Sequence, residues 1–366
     1  MEIANIFMAK KKWLIYAFNP VFFLGIASCL FSNDSGSKNF NSKVKKPPTI
    51  NDDMLENLPS FQDSYAVTYD FSGGRFGDNL LSYLHAKWIS YKYNMLLLYK
   101  PFPYSDELAL SELETKINDY YYDHEINIFK RKMVCDSNLR YFRPSDLLKK
   151  NPSGSILYVV PYFPEGGCKR TWFFNGSKKW SYFDVDWKDQ IFRSIALEML
   201  RPIKFFKLCD CPLDKITVAI HIRTGKGFDC QNICQNEPHL APPLKFYHEA
   251  LRSLINIYPD RELYFHIFTD DPEPNVIATD IENYIKNIAT APFSVHYRTS
   301  KNRQNLNVIE DFFSLFQFDC LIRPDSNFSR VPSLLKEYKV LIYPSDLEKL
   351  GDRNYIISKI DVVRNE

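Results

Sequence analysis

The sequence lacks a large net charge of either sign. Its 46 Lys and Arg residues against 44 Asp and Glu residues leave a formal charge of +2 over 366 residues. A nucleic-acid-binding domain needs a basic stripe or a strongly basic surface, so this balance gives no support for a nucleic-acid partner. A partner must therefore be inferred from local clusters of residues.

The eight cysteines also lack the spacing of a structural zinc site, which pairs cysteines two residues apart twice over. Cys209 and Cys211 are separated by one residue, and Cys230 and Cys234 by three. Disulfide bonds in an oxidising compartment fit this distribution, and reduced, buried thiols are the alternative. Because 45% of the residues are hydrophobic, a chain of this length favours two domains of ordinary size.

The first 31 residues contain a charge-free run, Trp13–Phe31, that follows three lysines. As a helix its nineteen positions would span roughly 28 Å, about the thickness of a hydrocarbon core. We therefore predict a membrane anchor over 1–31. A cleaved signal or a lipoprotein signal is the alternative, because Gly25–Cys29 has the small residues of a processing site. Residues 32–63 are rich in Ser, Asn, Lys and Pro and predict a stem.

Strand and helix patterns alternate along the rest of the chain. Tyr65–Phe71, the glycine turn Gly73–Gly77, a helical repeat from Leu80 to Trp88 and the apolar run Met95–Tyr99 predict a β-α-β unit. Further strands are predicted at Ile156–Phe163, Ile216–Ile222, Leu263–Phe268, Phe293–Tyr297, Cys320–Ile322 and Val340–Tyr343. Further helices are predicted at Phe192–Leu208 (interrupted by Pro202), Phe246–Ile257, Val276–Ile288, Val308–Phe318 and Phe328–Tyr338. This order predicts an α/β fold with parallel sheets covered on both faces.

Polar clusters follow three of these strands, and in such folds ligands bind beyond the carboxyl ends of the strands. His221–Gly227 offers an arginine and a lysine among glycines, which suits a diphosphate. Thr269–Pro272 holds two adjacent carboxylates, and Asp325–Arg330 opens a helix whose N-terminal N–H groups can bind an anion. Each cluster also fits a turn or a helix cap. Their position at the same ends of successive strands favours a binding site.

These motifs, in the order Gly73–Asn79, His221–Gly225, Phe268–Asp271 and Asp325–Ser329, resemble the inverting fucosyltransferases of the α1,2, α1,6 and protein-O groups. The resemblance covers about residues 65–344. It implies two Rossmann-like domains with a cleft between them (the GT-B type), an acceptor-side domain at 64–205 and a nucleotide-sugar domain at 206–366. It also implies GDP-fucose as the donor substrate, with no metal and no other cofactor.

The resemblance further implies roles for individual residues. Arg223 holds the β-phosphate, His221 lies against the nucleotide, and Asp311 accepts hydrogen bonds from guanine. The implied donor-binding residues are Gly74, Gly77, Asn79, His221, Arg223, Gly225, Asp270, Asp311, Ser326, Asn327, Phe328 and Ser329. The predicted catalytic residues are Arg223 and Asp78.

Several residues depart from the family pattern. Thr224 stands where many relatives carry a second arginine, and Lys226 where they carry an acidic residue. Asp78 replaces an amide in the first turn and could act as the general base, for which Asp229 and Glu237 are the other candidates.

We therefore predict a fucosyltransferase that transfers fucose to a glycan or glycoprotein hydroxyl, of α1,2 or α1,6 type. The alternatives are an inactive sugar-binding or interaction protein with the same fold and a transferase for another nucleotide sugar. The expected location is a single-pass type II membrane protein of the Golgi, or else a secreted protein or a bacterial lipoprotein. Asn175–Ser177 and Asn327–Ser329 match the glycosylation sequon.

Overall fold

The structure is a computed structural model. It describes residues 65–71, 74–117, 129–132, 156–160, 185–224, 241–299, 307–349 and 355–365. The predicted anchor and stem, residues 1–63, lie outside this set. Within the described residues, no helix has both the length and the apolar character needed to cross a membrane.

The first sheet has five parallel strands in the order β3-β2-β1-β5-β4. Its strands are β1 (Tyr65–Tyr69), β2 (Leu96–Tyr99), β3 (Thr115–Lys116), β4 (Phe129–Lys132) and β5 (Ile156–Val160). Helix α1 (Phe76–Tyr93) joins β1 to β2 and buries Leu80, Leu84 and Trp88 at helical spacing. The predicted β-α-β unit is therefore confirmed.

A 3-10 turn at Ser105–Glu107 and the short helix α2 (Leu110–Leu113) lie between β2 and β3 in the chain, and helix α3 (Gln190–Leu200) follows β5. Asp189 caps α3 by accepting a hydrogen bond from the Phe192 N–H at 3.0 Å. The prediction that this helix continues to Leu208 is wrong. Pro202 lacks the N–H group that a further turn would need, so α3 ends two residues before it.

The second sheet has six strands in the order β11-β10-β9-β6-β7-β8. They are β6 (Ile216–Ile222), β7 (Leu263–Thr269), β8 (Phe293–Tyr297), β9 (Cys320–Ile322), β10 (Val340–Lys349) and β11 (Tyr355–Arg364). All neighbouring strands run parallel except β10 and β11, which form an antiparallel pair. The parallel strands are confirmed, whereas β11 and the second half of β10 were not predicted.

The helices of this half are α4 (Leu244–Ile257), α5 (Pro274–Ile288), α6 (Val308–Leu315) and α7 (Asn327–Leu335). Helices α4 and α5 bury apolar residues against the second sheet. Helices α6 and α7 instead contribute Ile309, Phe312, Val331 and Leu335 to the hydrophobic core that also contains α1. This shared core brings the start of α1 beside the start of α7.

Candidate functional site

The polar clusters that follow β6, β7 and β9 lie where these parallel strands have their carboxyl ends. This carboxyl edge of the second sheet is distinct from its outer strands. Strand β6 is the central member of the three and pairs in parallel with both neighbours. Ile222 stands opposite Thr269, and Ile220 opposite Ile322, so the strands end at nearly the same level. The prediction that the three clusters share one edge is therefore confirmed.

His221 occupies the centre of this edge and is 8% exposed. Its Nδ1 atom lies 2.7 Å from the hydroxyl oxygen of Ser329, and its ring centroid lies 5.5 Å from that of Phe328. Burial and, less strongly, the positive charges of Arg223, Arg323 and Arg75 together lower the pKa of His221 to about 3. The imidazole is therefore neutral at physiological pH.

The positive charges of three arginines thus help to lower the pKa of one buried histidine. Arg223 follows β6 directly, Arg323 follows β9, and Arg75 precedes α1. Sequence reasoning identified Arg223 and missed the other two. The sequence could have identified both, because Arg323 is the first residue after a buried strand and Arg75 lies inside the Gly73–Gly77 turn.

Arg323 is a buried cation, 6% exposed. Burial lowers its pKa to about 10, and the nearest carboxylate oxygen, on Asp325, lies 3.9 Å from its Nη1 atom. The guanidinium donates to the Pro324 carbonyl at 3.0 Å and lies over the Tyr343 ring at 4.7 Å. A buried positive charge with this little neutralisation is favourable for an anionic ligand.

Helix α7 points its N-terminus at the same edge. Ser326 is the N-cap residue and is buried, and Ser329 lies fully buried in the first turn. The free N–H groups of a first helical turn carry partial positive charge, so they add to the field of the arginines. The predicted helix opening at Ser326–Ser329 is confirmed, and the edge has the character of an anion site.

Asp78 connects the two halves of the chain. Its Oδ1 atom accepts a hydrogen bond from the side-chain amide of Asn327 at 2.7 Å, and its Oδ2 atom accepts from the Arg75 N–H at 3.0 Å. Both oxygens of the predicted general base are therefore engaged in this structure.

Gly74 and Gly77 make these contacts sterically feasible. A Cβ atom at Gly74 would lie 2.6 Å from Cγ of Asp78, and one at Gly77 would lie 2.5 Å from the backbone nitrogen of Phe328. Sequence reasoning missed this packing of α1 against α7. A contact of these glycines with a donor sugar stays a prediction.

Asn79 is buried, 5% exposed, and its Oδ1 atom has no hydrogen-bond partner in the described structure. Its predicted contact with the donor stays a prediction. Gly225, like Lys226, Asp229 and Glu237, lies outside the described residues.

Asp270 orders the chain after β6. Its Oδ1 atom accepts hydrogen bonds from the backbone N–H and the hydroxyl of Thr224, at 2.8 and 3.2 Å. The neighbouring Asp271 is buried and accepts from the Glu273 N–H at 2.9 Å, just before α5 begins. One carboxylate thus fixes the loop that carries Arg223, and the other stabilises a helix entry.

Asp311 lies in the first turn of α6 and pairs with Arg298, the residue after β8. Nη2 of Arg298 lies 2.6 Å from Oδ1 of Asp311 and 3.5 Å from Oε2 of Glu310. Burial raises the pKa of the Asp311 carboxyl, and the Arg298 charge opposes that rise. Sequence reasoning selected Asp311 and missed Arg298.

In the described part of the chain, no group of three or more His, Cys, Asp or Glu side chains has the arrangement of a metal site. Cys209, Cys211 and Cys320 are free thiols, and the other five cysteines lie outside that part. The sequon at Asn327–Ser329 lies inside the site, where Ser329 is fully buried. A glycan on the Asn327 amide nitrogen would also disrupt the hydrogen bond that this nitrogen donates to Asp78 at 2.7 Å.

No protein-family model matches the chain, and no curated protein matches it. Among solved structures, a mutant of Arabidopsis thaliana FUT1 in complex with GDP aligns at 12% identity and a TM-score of 0.48, covering 81% of this chain and 79% of that one. The Bradyrhizobium fucosyltransferase NodZ aligns at 11% and 0.42, covering 83% of this chain and 100% of that one. POFUT1 in complex with GDP-fucose aligns at 11% and 0.38, covering 76% and 96%. The structures similar to this chain thus include fucosyltransferases, the family that its motifs resemble, while its activity has to be inferred from its own residues.

Proposed function

We propose that the chain is an inverting glycosyltransferase that takes fucose from GDP-fucose and transfers it to a glycan hydroxyl, of α1,2 or α1,6 type. The observation that carries this proposal is the convergence of Arg75, Arg223 and Arg323 on neutral His221, beside the N-terminus of α7. The positive electrostatic field of these groups would stabilise a diphosphate, the anionic part of a nucleotide sugar.

The reaction is a single displacement at the anomeric carbon of the donor. The acceptor oxygen forms a bond to that carbon, the bond to the β-phosphate oxygen breaks, and its electron pair leaves with the diphosphate. Arg223, Arg75 and Arg323 stabilise the charge that develops on this leaving group. His221 holds its place against Phe328 and Ser329 as a neutral ring.

The acceptor hydroxyl must lose its proton to a base. Asp78 would have to accept that proton while its two oxygens also hold the hydrogen bonds from Asn327 and from the Arg75 N–H. Asp229 and Glu237 are the other carboxylates of the sequence that we consider for this role. The engagement of Asp78 favours one alternative, a protein that binds the nucleotide sugar without transferring it.

The two sheets fit a GT-B arrangement, in which residues 206–366 bind the donor and residues 64–205 face the acceptor across a cleft. In this proposal a glycan or glycoprotein is the acceptor, and the segment over 1–31 attaches the enzyme to a membrane of the secretory pathway. Release of an α1,2- or α1,6-linked product from a panel of glycan acceptors would assign the linkage.

Calorimetric titration with GDP, UDP and CMP tests the site. Arg223→Ala removes a charge-assisted contact worth about 1.5–3 kcal/mol, so GDP should bind about ten- to a hundred-fold more weakly. Arg252→Ala, on the exposed face of α4, is the matched control and should leave GDP affinity unchanged. Equal GDP affinity in Arg223→Ala and the wild type would place the site elsewhere.

Incubation with labelled GDP-fucose separates transfer from binding. A transferase releases free fucose slowly by hydrolysis when no acceptor is present, and it makes labelled product when a suitable acceptor is added. A protein that binds GDP-fucose tightly and yields neither fucose nor product over many hours would support the binding alternative.

A further inference from the structure

Polar and aromatic side chains also lie at the carboxyl edge of the first sheet. Asp70 and Phe71 follow β1, and Lys100 follows β2. Because β1 and β2 pair in parallel, with Val67 opposite Leu97, these three residues lie at the same end of neighbouring strands. The proposed function assigns this half of the chain to the acceptor and leaves the three side chains without a role.

The chain is fixed at this point by hydrogen bonds. The hydroxyl of fully buried Tyr69 donates to the Lys100 carbonyl at 2.8 Å and accepts from the Lys100 N–H at 3.2 Å. The Lys100 ammonium lies 3.3 Å from Oδ1 of Asp70, and the two side chains are 27% and 40% exposed. An ammonium has several N–H donors and a carboxylate several lone pairs. An ion pair that is this accessible can therefore also form hydrogen bonds with a polar ligand.

Phe71 is the exposed member of an aromatic cluster beside this ion pair. It is 38% exposed, whereas Tyr69 and Phe102 are buried. The ring centroid of Phe71 lies 5.5 Å from that of Tyr69 and 6.2 Å from that of Phe102, both in edge arrangements. These contacts hold the ring in place, so a ligand that stacks on it does not have to order a mobile side chain.

The aromatic cluster extends to the donor site through Phe76. The ring centroid of Phe76 lies 6.4 Å from that of Phe102 and 5.2 Å from that of Phe312 on α6. The Phe312 centroid lies 5.7 Å from that of Phe328, whose ring contacts His221. A continuous row of ring contacts therefore connects the carboxyl edges of the two sheets.

The chain itself limits the distance between Phe71 and the donor site. Phe71 and Arg75 are four residues apart, so their Cα atoms are separated by at most about 14 Å. The charge of Arg75 in turn reaches His221. The proposed reaction places the donor sugar next to the diphosphate and the acceptor sugar beyond it. The limit of this distance is comparable with the length of two linked sugar rings.

We propose that Phe71, Lys100 and Asp70 bind the acceptor, a hexopyranose that stacks one face on the Phe71 ring and directs its hydroxyls to the ion pair. An aromatic ring has a negative face, and the C–H groups of a pyranose are polarised by the neighbouring oxygens, so the two attract each other. A few polar groups beside an apolar surface then fix the orientation of the bound sugar. This inference rests on the proposed function and adds to it the side chains that hold the acceptor.

Saturation-transfer NMR tests the site without requiring turnover. The full chain, with and without saturating GDP, is titrated with methyl β-galactoside, methyl β-glucoside and methyl β-N-acetylglucosaminide. At least one sugar should bind, and irradiation of aromatic protons should saturate the C–H groups of one sugar face most strongly. Phe71→Leu, which keeps an apolar side chain without a ring, should weaken that sugar by about three- to ten-fold. Phe71→Trp should retain the affinity.

The ion pair is tested in the same titration. Lys100→Met should weaken the bound sugar by about ten-fold, because a hydrogen bond from a charged donor is lost. Phe71→Leu should leave GDP affinity, measured by calorimetry, unchanged. Leu113→Ala, which truncates an exposed apolar side chain on α2, is the matched control and should change neither affinity.

The outcomes separate the two proposals. Equal sugar affinity in Phe71→Leu and the wild type would overturn the inference, as would a wild type that binds GDP and none of the three sugars; both results leave the donor site intact. Parallel losses of sugar and GDP affinity in Phe71→Leu would show that the ring only supports the fold, and would also overturn it. A wild type that binds no nucleoside diphosphate would overturn the proposed function and the acceptor role with it. If Phe71→Leu does not fold, Lys100→Met decides, because unchanged sugar affinity there contradicts the contact with the ion pair.

Discussion

The buried, neutral state of His221 predicts a specific acid sensitivity. Burial and three nearby arginines lower the pKa of His221 from 6.5 to about 3, whereas the unfolded chain keeps the ordinary value. Between these two values the unfolded state binds more protons than the folded state. The contribution of His221 to stability is therefore complete above pH 6.5 and is lost as the pH falls towards 3.

The size of this effect at pH 5 depends almost entirely on the unfolded chain, because a folded pKa near 3 leaves the native ring unprotonated there. Protonation of the unfolded His221 then stabilises the unfolded state by about 2 kcal/mol relative to pH 7.5. In His221→Asn the side-chain amide can occupy the place of Nδ1 near Ser329 but does not titrate. We expect the difference in unfolding free energy between pH 7.5 and pH 5 to be about 2 kcal/mol smaller in this variant than in the wild type.

Urea denaturation at the two pH values, with the variant and the wild type in parallel, measures this difference. Burial and the neighbouring His296 and Arg298 also lower the pKa of His266, to about 4, but that contribution is common to both proteins and cancels. An equal loss of stability in both proteins on acidification would refute the assignment of a neutral His221 and, with it, the strong positive field at this edge.

Three further predictions follow from contacts at the site. If Asp311 recognises guanine, Asp311→Asn should weaken GDP binding more than IDP binding, because IDP lacks the 2-amino group from which the carboxylate would accept a hydrogen bond. Equal losses in competition titrations would assign Asp311 to structure. Turnover should survive excess EDTA, because Arg223 and its neighbours can neutralise the diphosphate without a metal cation. Asp270→Asn should impair folding or donor binding, because it weakens the hydrogen bonds from Thr224, but it should not create a metal requirement. Activity abolished by EDTA and restored by Mn²⁺ would contradict this prediction. Gly77→Ala should lower the free energy of unfolding, measured by urea denaturation, by about 1–3 kcal/mol, because a Cβ atom would lie 2.5 Å from the backbone nitrogen of Phe328. An unchanged urea midpoint would mean that α1 and α7 are not held in close contact.

The sequence was most informative where strands are buried on both faces. All seven residues of β6 are buried, and such a strand appears in the sequence as a continuous apolar run. By contrast, β11 lies at the sheet edge in the described structure and exposes Ile356 and Val362 as well as Lys359. An edge strand packs on one neighbour only, so its mixed composition carries little strand signal and it was missed.

The location of the site was predictable, whereas its hydrogen-bond partners were not. Parallel strands bring their carboxyl ends to one edge, and that rule needs only the order of the elements. The partners of the site carboxylates come from elsewhere: Thr224 is 46 residues from Asp270, and Asn327 is 249 residues from Asp78. Such pairs depend on how loops and helices pack in three dimensions, and periodicity in the sequence contains no information about them.

Asp78 shows why the identity of a site residue does not fix its role. A carboxylate in a glycine turn at the mouth of a site satisfies the chemical requirement for a base. In the folded chain the same carboxylate accepts hydrogen bonds from Asn327 and from the Arg75 N–H. Those bonds hold α1 against α7 and place Arg75 where its charge reaches His221. Asp78 can therefore support the site by positioning a cation even if a different carboxylate accepts the proton.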